Sequence, residues 1–176
     1  MKKLKALIIT GSMVQDHEFI YPFYRLKEEG VDTVVFNGSN NQVLGYFGTK
    51  IPPQKDDKII NLKDVIVDDF DLLVIPGGVK AMEHMRLNLE IIEKIYEFNV
   101  KKKIIACICS GVFLMISAKI VKNKKITGYY AWKDDVENAG ATFVDKPVVV
   151  DDNIITSPHY KYVGEWMGEV LRILND

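Results

Sequence analysis

Cys109 is the residue whose type and setting point most directly to chemistry. It ends an apolar run and is followed by Ser110 and Gly111, two residues small enough for a tightly packed turn. A strand that turns sharply into a helix in this way projects the corner side chain outward, as in a nucleophile elbow. The backbone amides after the corner begin the helix and can stabilise an anion. The pattern predicts a reactive thiol with a depressed pKa; the alternative is a small, buried and unreactive side chain.

Cys107, the second of two cysteines, lies two residues earlier on the apolar run, so we expect it to be inert core. A disulfide between cysteines so close in sequence would be badly strained. The chain has no Cys-x-x-Cys pair, and its three histidines do not have zinc-finger spacing. We therefore expect no metal site, and the chemistry expected of Cys109 needs no organic cofactor.

Two other segments could complete a site around Cys109. Gly77 and Gly78 follow an apolar run that ends at Pro76, and their amides could complete an oxyanion hole opposite the elbow. No Gly-Lys-Ser/Thr follows, so the segment is not a P-loop. Glu18 lies near the start of a predicted helix, where an acid can simply stabilise the helix dipole. The sharper hypothesis is that its carboxyl group hydrogen-bonds the Cys109 sulfur.

The elements that must position these residues follow from hydrophobic periodicity. We predict strands over 4–10, 31–37, 70–76 and 103–108, a hairpin formed by 148–150 and 154–156, and a small hairpin with irregular chain within 42–64. Helices are predicted over 17–29, 82–98 (one long helix with a buried stripe of Leu89, Ile92, Ile95 and Phe98), 112–118, 133–139 and from Val163 to Leu174. Alternating strands and helices indicate a parallel sheet covered on both faces. Because ligands bind at the carboxyl ends of such strands, the loops 11–18, 77–83 and 109–112 should form the site.

Composition and charge narrow the class of protein. The chain has 176 residues, 48% of them hydrophobic and 27% charged, which fits one globular domain over 1–176. Its formal net charge of −1 suggests neither a nucleic-acid nor a membrane partner, and the lysine runs 101–103 and 122–125 are expected to be solvated faces. The apolar run near the start is too short for a signal peptide, so a cytoplasmic location is expected.

Several segments resemble the ThiJ/PfpI family of the class I glutamine amidotransferase-like superfamily, and in particular its intracellular protease and general stress protein branch. The matching segments, in family order, are 16–22, 25–30, 73–78, 83–88, 106–111, 133–140 and 148–157. The resemblance implies a flavodoxin-like, three-layer α/β sandwich with a mainly parallel central sheet and a nucleophile elbow. It also implies a homodimer or a higher homo-oligomer.

The resemblance implies roles for individual residues. Cys109 is the expected nucleophile and Glu18 its hydrogen-bonded carboxylic acid. The backbone amides of Gly78 and Ser110 are expected to line the oxyanion site.

Three further residues are implied as part of a pocket or of a neighbouring subunit's site. Glu83 matches a glutamate that reaches the adjacent subunit, and Tyr129 matches a pocket tyrosine. His159 lies in the segment that lines the family's pocket. The alternative for His159, and equally for His17 and His84, is a surface or capping residue, which is the more common role of a histidine in a loop.

The departures from the family pattern argue against proteolysis. The protease-like branch has Cys-His-Gly at the elbow, and its histidine activates the thiol, whereas this chain has Ser110. A family glutamate is replaced by Gln15, and an arginine after the last hairpin is replaced by Pro158. These changes remove an imidazole base and charge from the expected pocket.

The expected function is that of a cysteine-dependent hydrolase or lyase acting on a small carbonyl compound or related metabolite. By resemblance, a protein of this kind would be named an intracellular protease. The alternative is a non-enzymatic stress-response protein, in which Cys109 senses oxidation or the surface acts as a chaperone. A structural domain that binds a partner and has an unreactive cysteine is a third hypothesis. No residue in the sequence identifies a particular substrate.

Overall fold

A computed structural model describes residues 3–176; Met1 and Lys2, the first residues of the predicted domain, lie outside the described part. The strands are β1 (Lys5–Ile9), β2 (Asp32–Phe36), β3 (Val43–Leu44), β4 (Lys50–Ile51), β5 (Leu72–Ile75), β6 (Ile104–Ile108), β7 (Lys125–Ile126), β8 (Thr142–Phe143), β9 (Val149–Asp151) and β10 (Ile154–Ser157). The helices are α1 (Asp16–Glu28), α2 (Val79–Arg86), α3 (Leu89–Val100), α4 (Val112–Ser117), α5 (Lys133–Asn138) and α6 (Val163–Leu174).

The central sheet has six strands in the order β2-β1-β5-β6-β10-β9. All neighbouring pairs are parallel except β9 and β10, which form the antiparallel hairpin at one edge. The inner strands β1, β5 and β6 are almost continuously apolar because both faces of the sheet are covered. The α/β fold with a mainly parallel sheet is therefore confirmed.

Helices cover the sheet in two outer layers. On one face α1 packs against α6, and on the other α2, α3 and α4 pack against one another. The buried stripe of α6 includes Trp166, Met167 and Val170, and the Trp166 indole Nε1–H donates to the carbonyl oxygen of Ile155 at 3.3 Å. This bond fixes α6 against β10, the strand beside the one that leads to Cys109.

The predicted long helix over 82–98 is wrong. The chain forms two helices, α2 and α3, that are separated at Leu87 and Asn88. The Asn88 side chain accepts a hydrogen bond from the N–H of Glu90 at 3.0 Å and so begins a new helix. The break changes the helical phase, which leaves Leu89 73% exposed although the pattern had placed it in the buried stripe.

Two small sheets lie outside the central one. The predicted hairpin within 42–64 is confirmed, since β3 and β4 pair antiparallel. The parallel pair of β7 and β8 was not predicted, because each strand has two residues and shows no readable alternation. In the described residues, no helix is long and apolar enough to cross a membrane.

Candidate functional site

Cys109 lies at a sharp junction between β6 and α4. Its backbone φ is +59°, a left-handed conformation that is uncommon for a residue with a side chain. The next turn is tightly packed: a Cβ on Gly111 would lie 2.7 Å from the Ile75 carbonyl oxygen and 2.9 Å from the Cys107 sulfur. The sequence Cys-Ser-Gly thus forms the strained elbow that its spacing predicts, and Cys107 is buried beneath it.

Glu18 is fully buried in the first turn of α1 and faces Cys109. One carboxyl oxygen, Oε2, accepts the N–H of Gly77 at 2.8 Å, and the other, Oε1, has no hydrogen-bond partner. A Cβ on Gly77 would collide with Glu18 Oε2 and would lie 2.9 Å from the Cys109 Cβ. The absence of a side chain at Gly77 therefore lets the acid and the cysteine approach each other closely.

Burial dominates the electrostatics of this pair. It raises the pKa of Glu18 to about 7, although interactions with the Cys109 thiol and the Gly77 amide partly oppose the rise. Burial also raises the pKa of Cys109 to about 12, and the negative charge of Glu18 adds to this effect. The Ser110 hydroxyl and amide act in the opposite direction but do not compensate.

The prediction of a depressed thiol pKa is therefore wrong. It relied on the helix N-terminus after Cys109, but α4 has six residues, so its dipole is small. Burial and a carboxyl group beside the sulfur outweigh it. At neutral pH the structure favours a protonated thiol next to a carboxyl group that titrates near neutrality.

The two predicted oxyanion donors lie at adjacent strand ends. Gly78, with φ +101°, leads from β5 into α2, and Ser110 follows Cys109 at the end of β6. A Cβ on Gly77 would lie 3.0 Å from the Ser110 nitrogen, so the two junctions face each other across Gly77. The Ser110 hydroxyl oxygen is 3.6 Å from the Cys109 sulfur.

The other predicted pocket residues divide into two groups. Tyr129 joins the elbow, since its N–H donates to the Cys109 carbonyl oxygen at 3.3 Å, and its ring centroid is 6.2 Å from that of His159. Burial, followed by the charge of Lys161, lowers the pKa of His159. Glu83 is exposed on α2, where its carboxylate pairs with the Lys80 ammonium at 2.9 Å, so a single chain does not bring it to Cys109.

Sequence reasoning missed Asp16, which holds the loop between β3 and β4 against α1. Its two carboxylate oxygens accept the N–H groups of Phe47 and Thr49 at 2.8 and 3.0 Å. Burial acts to raise the pKa of Asp16, but these hydrogen bonds outweigh it and lower the pKa. The sequence does not distinguish an acid that makes such a contact from one that only stabilises the helix dipole in the first turn.

Within residues 3–176, no group of three or more His, Cys, Asp or Glu side chains is arranged to hold a metal ion. The candidate site consists of a thiol, a buried carboxyl group and the backbone amides at two strand ends.

Known proteins share this sequence and architecture. The DJ-1/PfpI family model matches residues 4–173. A Pyrococcus furiosus protein named deglycase PfpI is 36% identical over 171 residues, which cover 97% of this chain and 99% of the relative. A Thermococcus kodakarensis protein named deglycase TK1284 is 36% identical over 174 residues, covering 97% of this chain and 99% of the relative.

Solved structures with similar folds also come from DJ-1/ThiJ/PfpI-like proteins. An Anabaena variabilis protein with DJ-1/ThiJ/PfpI-like and ferritin-like domains has a TM-score of 0.91 and 31% sequence identity. The match covers 98% of this chain and 48% of that protein, so the chain spans about half of the two-domain relative. Drosophila melanogaster DJ-1beta has a TM-score of 0.88 at 24% identity and covers 98% of this chain and 91% of its own, which supports the fold.

Proposed function

Because the chain belongs to the DJ-1/PfpI family, we propose that it is a cysteine-dependent hydrolase or lyase acting on a small carbonyl compound or an adduct of one. The observation that carries the proposal is the fully buried Glu18 carboxyl group beside the Cys109 thiol, with one oxygen unpartnered. Relatives that are named deglycases support an adduct of a carbonyl compound with an amine as one form of the substrate.

The proposed first step is addition of the Cys109 sulfur to the carbonyl carbon. As the S–C bond forms, the π electrons of the carbonyl move to its oxygen and the thiol proton passes to the Glu18 carboxylate. The amides of Gly78 and Ser110 are the proposed donors to the oxyanion. Glu18 then returns the proton to that oxygen, which leaves a neutral hemithioacetal with all atoms and electrons accounted for.

The pKa values of the pair suit this route. Since the pKa of the thiol is raised to about 12, a free thiolate is scarce at pH 7, and the proton must leave as the sulfur attacks. A carboxyl group with a pKa of about 7 can both accept and return a proton at neutral pH. Glu18 thus has the protonation behaviour that the elbow histidine would supply in the protease-like branch.

The raised thiol pKa argues against an oxidation sensor, and the residue at the elbow argues against proteolysis. An oxidation sensor requires a thiol with appreciable thiolate character, which a raised pKa disfavours. Proteolysis loses support because Ser110 offers no imidazole base at the elbow.

Consumption of glyoxal by purified protein tests the proposal. We expect Cys109→Ala to lower turnover by about a hundredfold or more, because the nucleophile is removed. Cys107→Ala is the matched control: it removes the other thiol, which lies under the elbow, and should retain turnover provided that circular dichroism shows a native fold. Equal turnover in Cys109→Ala and wild-type protein would reject the proposed function.

Assembly into a homodimer or higher homo-oligomer is a further part of the proposal. A groove of about 1180 Å³ runs along α1, next to the Cys109 site rather than in it. Its apolar lining comprises Ile20, Tyr21, Tyr24, Phe47, Tyr160 and Val163. A second copy of the chain over the α1 side of the groove would remove Ile20, Tyr21 and Tyr24 from water and leave Tyr160 accessible. Light scattering after size-exclusion chromatography should give at least twice the 20.0 kDa chain mass, and a monomeric mass would contradict this part. A small-molecule substrate and a cytoplasmic location remain predictions.

A further inference from the structure

A row of four aromatic rings borders the Cys109 site; we call it the aromatic row. It consists of Tyr129, His159, Tyr160 and His17, with ring centroids separated in that order by 6.2, 4.0 and 5.1 Å. The first and last contacts are near-parallel, with interplanar angles of 29° and 22°. Three separate segments of the chain contribute these rings.

One end of the row is attached to the Cys109 elbow. At one end the Tyr129 N–H donates to the carbonyl oxygen of Cys109. At the other end the exposed His17 side chain lies on α1, one residue before the buried Glu18. The middle of the row follows β10, whose last residue pairs with Ile108, the residue before Cys109. The Tyr129 and His159 end of the row therefore lies at the same edge of the sheet as Cys109, and a group attached to a carbonyl that reacts there would extend along the row from this end.

The middle of the row is uncharged, and parts of its rings are open to a ligand. Tyr129 and Tyr160 are 37% and 38% exposed, so parts of both rings face solvent. Burial and Lys161 lower the pKa of His159, which keeps that ring neutral at pH 7. The Lys161 ammonium lies over the Tyr130 and Tyr162 rings, 5.6 and 4.7 Å from their centroids, and would repel a cationic ligand.

We propose that the aromatic row binds a neutral aromatic group attached to the reacting carbonyl, so that the site prefers aryl to small aliphatic carbonyl compounds. Neutral rings favour offset-stacked or edge-to-face partners, and such contacts add to the free energy of burial. The inference deepens the proposed function and rests on it for the catalytic preference, but binding along the row can be measured without turnover.

The catalytic test compares phenylglyoxal with glyoxal. We expect the ratio of their kcat/KM values to fall roughly three- to tenfold in His159→Ala, as loss of one ring contact implies. His159→Phe loses the hydrogen bond that His159 Nδ1 accepts from the N–H of Lys161, but it keeps an aromatic ring, so it should retain the ratio. Tyr96→Ala removes an exposed tyrosine from α3, outside the row, and should match wild type. An unchanged ratio in His159→Ala would overturn the inference.

A binding test separates failure of this inference from failure of the proposed function. Acetophenone should slow the alkylation of Cys109 by iodoacetamide at pH 9 in wild type, Tyr96→Ala and His159→Phe, but several-fold less in His159→Ala. Acetone should protect weakly in all four proteins. If neither glyoxal is consumed, the proposed function fails, while this protection pattern would still support the aromatic row. Equal protection by acetone and acetophenone, or full protection in His159→Ala, would overturn the row whatever the turnover.

Discussion

Glu18 and Cys109 share one buried space in which two negative charges are unfavourable. Burial raises both pKa values, and ionised Glu18 raises that of Cys109 further. Their titrations are therefore linked, and the first proton to leave the pair with rising pH is the one on Glu18. The thiol therefore keeps its proton at neutral pH, beside a carboxyl group that could accept it in the proposed reaction.

Glu18→Gln should separate the two effects of this carboxyl group. Removing its charge lowers the pKa of Cys109, so iodoacetamide should alkylate Cys109 faster at pH 9 than in wild type. The same substitution removes the proton acceptor, so glyoxal turnover should fall about a hundredfold or more.

The control for this experiment is Glu90→Gln, which neutralises an exposed carboxylate on α3. It should change neither the alkylation rate nor the turnover. Slower alkylation in Glu18→Gln than in wild type would contradict the interaction between the two groups.

The site could be predicted in part at this scale. The spacing of Cys109, Ser110 and Gly111 predicted the elbow, because two small residues after an apolar strand fit a tight strand-to-helix turn, although it left the reactivity of the thiol open. The thiol pKa could not be predicted, since burial of the sulfur depends on Glu18 and Gly77, which lie far away in sequence. Spacing alone could not decide whether Glu18 caps the helix or forms a hydrogen bond with Cys109.

Two strand-to-helix junctions meet at the site, and Gly77 is the point of contact between them. The junction of β5 with α2 brings Gly77 against Glu18, and the junction of β6 with α4 brings Cys109 and Ser110 to its other side. The space between the elements is therefore set by the absence of a side chain at this one position.

Gly77→Ala should push the two junctions apart. The added Cβ would collide with Glu18 Oε2 and lie 2.9 Å from Cys109 Cβ, and the Ser110 backbone cannot move easily. We expect at least a tenfold loss of glyoxal turnover and a loss of about 1–3 kcal/mol in the free energy of unfolding.

Gly168→Ala is the matched control, because a Cβ there meets nothing within 4 Å on the exposed side of α6. It should keep full turnover and raise the free energy of unfolding by about 0.5–1 kcal/mol, the usual gain for alanine over glycine in a helix. Wild-type turnover and stability in Gly77→Ala would contradict the close approach at this position.

Elements with long periodic patterns were predictable and short ones were not. The buried strands β1, β5 and β6 and the amphipathic α6 show unbroken patterns, and the structure has them where expected. The break between α2 and α3 was missed because Leu89 continues the apolar spacing of the preceding turn, and a single Asn88 cap resets it. The aromatic row was not predictable as a unit, since its rings come from three segments that only the folded sheet brings together.

For the whole molecule, burying Glu18 costs stability. Its pKa is about 7 in the folded chain against 4.5 for the exposed group, so between these pH values the folded state binds more protons than the unfolded state. The free energy of unfolding therefore falls as pH rises from about 4.5 to 7. The shift in the pKa of Glu18 corresponds to a decrease of about 3 kcal/mol in the free energy of unfolding, and this decrease persists at higher pH.

Glu18→Gln should remove this loss, because glutamine stays neutral at every pH and its carbonyl oxygen can still accept the Gly77 N–H. We expect urea unfolding to show the variant more stable than wild type at pH 8, by up to about 3 kcal/mol, with the gain shrinking toward zero near pH 4.5. Glu90→Gln, which neutralises an exposed carboxylate, should show no such trend. If Glu18→Gln differs from wild type by the same amount at both pH values, the buried carboxyl group does not titrate near neutrality, and its part in proton transfer fails with it. A variant that is more stable at pH 8 yet inactive would instead show that the fold keeps an unfavourable buried acid at the position where the proposed chemistry needs one.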